Sequence, residues 1–574
     1  MSRPAVRIAY LSSLLACGLA GCGDDGAVNS EAGTGSTTGA DGTSTAPVTS
    51  TTEDPATTSQ DGSSSSSTGS DTLAESSSST GEPEQLDPIP WSRACQVGAN
   101  DLHALNPDLE CAAIEVPLDW NNPESETIVV ALSRLRTAEP RQGEVWMLDG
   151  GPGGSGLGFI VPGSSETILA GGFDVVVMSH RGTISPRLDC GFGAQSPSCR
   201  DELEGVWGAD LRHFNTEQAA RDLGHAIARS EAEGDEHVVV YGVSYGTFWA
   251  EHYAGLYPDQ ADGIVFDSVL SADADVTLQE VHADERAREI VARCFADPEC
   301  ASNLEAEDAD ALVQQAVDAF NLQDCGNDPG GWEQAQFKGL LGVLTNAARA
   351  RNYVPLVLAM LAECDPVLTE AVESAYFSLL SGAGIASSAD PLPLASWGID
   401  PSLFSSAEVF GVVLGTSVME DGAVPIASVE GGAASIGFGD NLVANAEVWN
   451  DLPDNLVTLE VPTTPVLILS SSFDIQTPPL WAESLGSRYG VVPTIVEDGA
   501  HSLRSGVGGR LLDGAPCVST AIVDFATTPS SDFTAECFEQ LPALDPSLSR
   551  PDLQAMSLAA FGTADPWSLL PNNK

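Results

Sequence analysis

One stretch of this chain restricts its fold more than any other. Val238-Val239-Val240-Tyr241 is a short β-branched and aromatic run, the pattern of a buried strand. It leads into Gly242-Val243-Ser244-Tyr245-Gly246, which opens a helical stretch from Ser244 to Leu256. The glycines permit a strained turn that thrusts the serine hydroxyl out above a sheet. The helix N-terminus behind it favours developing negative charge. Strand, turn and helix in this order are the context that a Gly-x-Ser-x-Gly motif needs if its serine is to be a nucleophile.

The same alternation extends along the chain. Ala113–Val116 and Ile128–Leu132 read as strands; Val145–Leu148, Val175–Met178 and Ile264–Phe266 read as buried strands, with a helix predicted over Thr216–Glu233. Strands alternating with helices predict an α/β fold, a mostly parallel sheet with helices on both faces. After Phe266 the strand pattern stops. Residues 270–460, rich in Ala, Leu, Glu and Asp, read as a large helical lid inserted into the α/β core. Buried strands return at Val466–Leu469 and Thr494–Glu497. The core is therefore expected in two parts, 87–269 and 461–574. A length of 574 residues suits a large core plus an insertion.

The N-terminus reads as a targeting segment. Arg3 and Arg7 precede an apolar run, Ile8 to Ala16, that is too short to span a membrane. Leu19-Ala20-Gly21-Cys22 resembles the bacterial lipoprotein cleavage box, which makes residues 1–21 a signal peptide and Cys22 the lipidated residue. The alternative is an ordinary signal peptide with an incidental cysteine. Residues 22–86 are Ser, Thr, Gly and acidic residues that cannot bury a core, a disordered tether between membrane and enzyme-sized domain. These features place the chain in the cell envelope, lipid-anchored and extracytoplasmic.

Of twelve cysteines, ten remain once Cys17 and Cys22 are set aside. Cys95/Cys111, Cys190/Cys199, Cys294/Cys300 and Cys517/Cys537 lie in close pairs, leaving Cys325 and Cys364. No spacing suits a zinc ribbon, so disulfides in an oxidising compartment are the simplest reading. With 82 acidic against 23 basic residues, net charge −59, the chain lacks the Lys/Arg clusters that follow nucleic-acid phosphates.

Two further pieces complete a catalytic constellation. Asp149-Gly150-Gly151-Pro152-Gly153-Gly154-Ser155-Gly156 follows strand Val145–Leu148 directly. Backbone without side chains can approach a substrate oxygen and donate N–H groups, and no P-loop lysine is present. The base should follow the serine helix. Of eight histidines, only His282 and His501 do so, and His282 falls at the start of the lid. His501 is thus the candidate base. Asp474, after Val466–Leu469, is the preferred acid. Asp267, which ends Ile264–Phe266, is the rival, and Asp498 stands too near His501 along the chain to reach its ring easily.

Assembled, these residues resemble the serine aminopeptidase branch of the α/β hydrolases, the bacterial prolyl and tripeptidyl aminopeptidases. The likeness runs from about Cys111 to Cys537 and is weakest in the lid. It is carried by Glu110–Trp120, Gly150–Gly156, Phe173–Val176 with Arg181-Gly182-Thr183, Ser244–Thr247 with Tyr257-Pro258-Asp259, and Thr463–Leu467 running to Thr477-Pro478. The chain departs from the family at Asp149, where many members have His or Asn, at Ile184 after Arg-Gly-Thr, and at Ser502 after the histidine. The resemblance implies the α/β-hydrolase fold, an oxyanion hole formed by the N–H groups of Gly151 and Tyr245, and no metal or organic cofactor. It favours an exo-aminopeptidase acting through an acyl-enzyme on a peptide substrate. A carboxylesterase or amidase on small molecules, and an inactive surface-binding protein, remain as alternatives. Ser417–Pro425 resembles a family segment with an acidic pair, which makes Glu420, then Asp421, the candidate ligand of a substrate's free amine.

Overall fold

The computed structural model describes residues 86–571, apart from 123, 191–193, 233, 322–333, 383–400, 420–425, 427–428, 430–431, 433, 436–438, 450–458 and 505–506. Cys22, Cys325, Glu420 and Asp421 lie outside the described residues.

Eight strands form one sheet: β1 (Glu110–Pro117), β2 (Thr127–Leu135), β3 (Gly143–Leu148), β4 (Phe173–Met178), β5 (His237–Ser244), β6 (Gly263–Val269), β7 (Val466–Ser471) and β8 (Thr494–Val496). Their spatial order is β8-β7-β6-β5-β3-β4-β2-β1. β1 and β2 are antiparallel to each other, and β2 to β4; every other pairing is parallel. All eight strands read from the sequence are present. A two-stranded hairpin, Gln96–Val97 with Asn100–Asp101, precedes them.

The central strands β3, β4, β6 and β7 are buried at every position, because helices cover both faces of the sheet. Alternate side chains divide between the two faces. Val240, Phe266 and Leu148 pack with the helices Thr216–Ile227 and Tyr245–Leu256. Val239, Tyr241 and Met147 pack with the helix Cys517–Thr527 on the opposite face. The predicted helix over 216–233 ends at Ile227. Glu231 is drawn off its path by Arg134 and Arg136, at 2.9 and 2.6 Å, and the chain turns toward β5.

Between β6 and β7 the named elements among the described residues are helices, from Gln279–Ala296 to Gly439–Trp449. Several of them share a second core, with Ile290, Leu341, Leu356 and Leu379. The chain's last helices join that core through Leu553, Met556 and Trp567, beside the insertion rather than on the sheet. Disulfides join Cys95–Cys111, Cys190–Cys199, Cys294–Cys300 and Cys517–Cys537, as the sequence spacing suggested. Among the described residues no helix is long and apolar enough to cross a membrane.

Candidate active site

The strand order makes the site. β3 lies between β4 and β5, so the chain steps to one side after β3 and to the other after β4. At such a reversal the loops leaving two adjacent parallel strands part and open a crevice at their C-terminal ends. Leu148 stands opposite Gly242 in the sheet. The glycine-rich loop that begins at Asp149 and the turn that carries Ser244 are therefore neighbours.

Ser244 has φ 56° and ψ −127°, a conformation that L-residues rarely adopt. Such strain costs on the order of 1–3 kcal/mol and persists only where the surroundings enforce it. The enforcement is visible in the glycines. A Cβ at Gly242 would stand 2.3 Å from the carbonyl oxygen of Gly246, and a Cβ at Gly246 would stand 2.3 Å from that of Leu148. The turn closes this tightly only because neither residue carries a side chain. Gly150 is packed in the same way: a Cβ there would meet Ser244 Cβ at 2.9 Å and Ser244 Oγ at 3.3 Å.

The glycine loop is closed on itself and pinned from outside. The Asp149 carboxylate accepts the N–H of Gly150 at 2.9 Å and of Gly156 at 3.0 Å. Burial pushes the Asp149 carboxyl up, opposed by those two N–H groups and by Arg504. From the insertion, Ser406 donates its N–H to Gly153 and Phe404 accepts that of Ser155, both at 3.0 Å. The inserted segment thus holds one wall of the site.

Tyr245, next to the serine, is locked by its phenol. Its OH lies 3.1 Å from His180 Nε2 and 2.8 Å from Thr216 Oγ1. His180 Nδ1 is 2.8 Å from the Arg181 carbonyl, so Nδ1 is the donor and Nε2 accepts the Tyr245 proton. Burial lowers the His180 pKa to about 4, which keeps the ring neutral and able to accept. The sequence reading did not single out His180. Its one signal was its place directly after strand β4.

Asp474 and His501 meet. His501 Nδ1 is 3.0 Å from each carboxylate oxygen of Asp474. Asp474 is fully buried and also accepts the N–H groups of Gln476 (3.0 Å) and Thr477 (2.8 Å) and the Thr477 hydroxyl (2.8 Å). Burial pushes its carboxyl up, but the charge of His501 and these hydrogen bonds outweigh it and hold it below the ordinary carboxylate value. With Nδ1 donating to a carboxylate, the neutral ring carries its lone pair on Nε2, the tautomer a general base requires.

The rival acid has another partner. Asp267, buried within β6 two residues before its end, accepts the Tyr241 hydroxyl at 2.7 Å and the N–H groups of Leu503 and Arg504 at 3.0 Å each. The next residue, Ser268, accepts the N–H of Ser502 at 2.7 Å. Ser244 pairs with Val269 in the sheet, so these bonds seat the histidine loop beside the serine's own strand. Asp498 turns away from the ring: it pairs with Arg293 at 2.5 Å and accepts the N–H of Leu544 at 2.8 Å. Among the described residues, Cys190, Cys199 and Glu408 are the group with donor atoms near enough together to hold a metal ion. The two sulfurs are joined in a disulfide, which leaves one carboxylate.

Comparison with known proteins agrees with this geometry. Residues 145–301 match a family model described as the alpha/beta hydrolase fold. A tripeptidyl aminopeptidase of Streptomyces coelicolor is 30% identical over 208 residues, covering 31% of this chain and 38% of that protein. The serine protease Hip1 of Mycobacterium tuberculosis is 26% identical over 223 residues, covering 34% of this chain and 42% of that one. The chain thus matches about two fifths of the length of these relatives. From the strand order, the strained serine turn at the end of β5 and the matching family model together, the chain has the α/β-hydrolase fold.

Proposed function

We propose that this protein is a serine hydrolase of the peptidase type that removes residues or short peptides from free N-termini. The observation that carries the hydrolase reading is the buried Asp474–His501 pair, with Nδ1 at 3.0 Å from both carboxylate oxygens, on a loop seated beside the strained Ser244. His501 Nε2 takes the Ser244 proton as Oγ attacks a carbonyl carbon. Asp474 holds the ring and stabilises its charged form. The N–H groups of Gly151 and Tyr245 receive the oxyanion, each worth about 2.7–4 kcal/mol of barrier. His501 then gives its proton to the leaving amine, and water, activated by the same ring, releases the acyl group from Ser244.

The preference for free N-termini is supported by the relative named tripeptidyl aminopeptidase and by the likeness of the motifs. Glu420 and Asp421 are the proposed partners of the substrate's ammonium group. Export and attachment through a lipid on Cys22 are supported by the N-terminal sequence and fit a chain with four disulfides among its described residues.

The test uses a fluorophosphonate label and a panel of aminoacyl amides, N-acetylated peptides and simple esters. Labelling at Ser244, with cleavage of free but not acetylated N-termini, is the expected result. Labelling with ester cleavage alone leaves a serine hydrolase that is not a peptidase. Absence of labelling defeats the hydrolase reading.

A further inference from the structure

Arg351 lies in a short turn of the insertion, Ala350–Tyr353, and is fully buried. Its Nη1 donates to the carbonyl of Gly499 and, at 3.3 Å, to that of Asp498. Its guanidinium sits 5.4 Å from the centre of the Phe473 ring. Gly499 is two residues before His501, and Phe473 immediately precedes Asp474. One buried cation therefore touches the backbone beside the base and the side chain beside the acid. Arg293, also from the insertion, packs 4.8 Å from the same ring and pairs with Asp498 and Glu497.

This arrangement is a poor one for stability. Arg351 Nε and Nη2 have no hydrogen-bond partner among the described residues. Burial lowers its pKa to about 9, against the opposing fields of Asp498 and Asp474. A buried charge left partly unpaired costs stability, and the bonds that Arg351 does make, to the carbonyls of Asp498 and Gly499, are ones an apolar residue would break. An apolar side chain could occupy this space but could not bridge the two loops as the arginine does. That bridge has a role, because proton transfer through His501 requires the loop of the imidazole and the loop of its carboxylate partner to stay in register. The charged groups around it are Asp498 and Asp474, with Arg293 across the Phe473 ring and His501 beyond Asp474.

We propose that Arg351 is a positioning residue for the Asp474–His501 pair, holding the two loops that carry them in register. The proposal rests on the assignment of Ser244, Asp474 and His501 above. It makes the insertion part of the catalytic apparatus.

The experiment measures fluorophosphonate labelling rates, kcat and KM per titrated site, and thermal unfolding, in the full chain and its Arg351→Met, Arg351→Gln and Arg351→Lys variants. Arg351→Met and Arg351→Gln should label more slowly and lose kcat, each by on the order of 100-fold as expected for displaced catalytic groups, with KM little changed. Arg351→Met leaves the Gly499 and Asp498 carbonyls without this donor and should melt lower, so labelling and kcat are read per folded molecule. Arg351→Lys, which keeps one N–H donor for the Gly499 carbonyl but not the fork, should stay within about tenfold of wild type. The downfield proton resonance of the His501–Asp474 hydrogen bond should move or vanish in Arg351→Met and persist in Arg351→Lys. If Arg351→Met does not fold, Arg351→Gln serves in its place. Wild-type labelling rates per folded molecule in Arg351→Met or Arg351→Gln, with the resonance unchanged, would overturn the proposal and leave the triad intact. A wild-type protein that does not label at Ser244 brings down the triad and this proposal together.

Discussion

Asp267 accepts the backbone N–H of Leu503 at 3.0 Å, two residues beyond His501. A carboxylate that the sequence offered as a catalytic acid instead anchors the loop that carries His501. The two aspartates should therefore differ sharply on mutation. Asp474→Asn removes the orienting acceptor and should lower kcat by on the order of 10⁴ with the fold retained. Asp267→Asn sets an amide against N–H donors, so it should lower the melting temperature and reduce kcat far less. Steady-state kinetics and thermal melts of both variants decide this, and near-normal turnover in Asp474→Asn would move the acid to Asp267.

Asp149 holds the glycine-rich loop, the proposed oxyanion loop, closed through Gly150 and Gly156. Asp149→Ala should loosen the donors and lower kcat by about 10²–10³, the effect of losing one oxyanion contact, with a smaller change in KM. Asp149→Asn keeps an acceptor and should recover most of that loss. Equal kcat in Asp149→Ala and wild type would show that the loop keeps its shape without the carboxylate.

Gly246 and Gly205 form a matched pair of tests. A Cβ at Gly246 would lie 2.3 Å from the Leu148 oxygen, whereas one at Gly205 meets nothing within 4 Å. Gly246→Ala should abolish fluorophosphonate labelling or soluble expression. Gly205→Ala, within the helix Pro197–Trp207, should be neutral or stabilising by up to about 1 kcal/mol. A fully active Gly246→Ala would contradict the tight packing of the serine turn.

Glu251 gives a pH prediction. It is buried, pairs with Arg488 at 2.5 Å and accepts the Ala272 N–H at 2.8 Å. Burial raises its pKa to about 7, with Arg488 and the Ala272 N–H opposing. A carboxyl whose folded pKa exceeds its unfolded value binds more protons in the folded state between the two values. Its contribution is complete below the unfolded value near 4.5 and is lost as pH rises through about 7. Stability from this group should decline over that window by at most on the order of 3 kcal/mol. Glu251→Gln should flatten that part of the profile, as read by melting temperature from pH 4 to 8. An unchanged slope would exclude Glu251 as its source.

The disulfides are directly testable. Peptide mass mapping of unreduced protein from its native compartment should link Cys95 to Cys111, Cys190 to Cys199, Cys294 to Cys300 and Cys517 to Cys537. Free thiols at these positions would contradict both the pairing and the oxidising compartment.

The eight strands, the serine turn and the chain order of serine, acid and histidine were legible because each is a local pattern. A run such as Val238–Tyr241 must be buried on both faces, and glycines around Ser244 admit one kind of turn. Neighbouring cysteines pair readily because little chain separates them. Residues 216–233 misled at their end, since helix periodicity carries no sign that Glu231 is drawn to Arg134 and Arg136, at the end of β2.

The choice between Asp267 and Asp474 was not a local matter. Both follow buried strands with nearly the same pattern, and only the path of the 497–504 loop across the sheet edge gives one of them the imidazole and the other the backbone. Arg351 left still less trace, standing in an Ala-rich helical stretch 148 residues before Gly499. Local sequence determined which segments become strands and where a reactive serine could stand, because backbone sterics and burial act over a few residues. Tertiary structure alone decided which carboxylate meets the imidazole and that an arginine of the insertion lies behind it, because those contacts depend on distances between segments far apart in the chain.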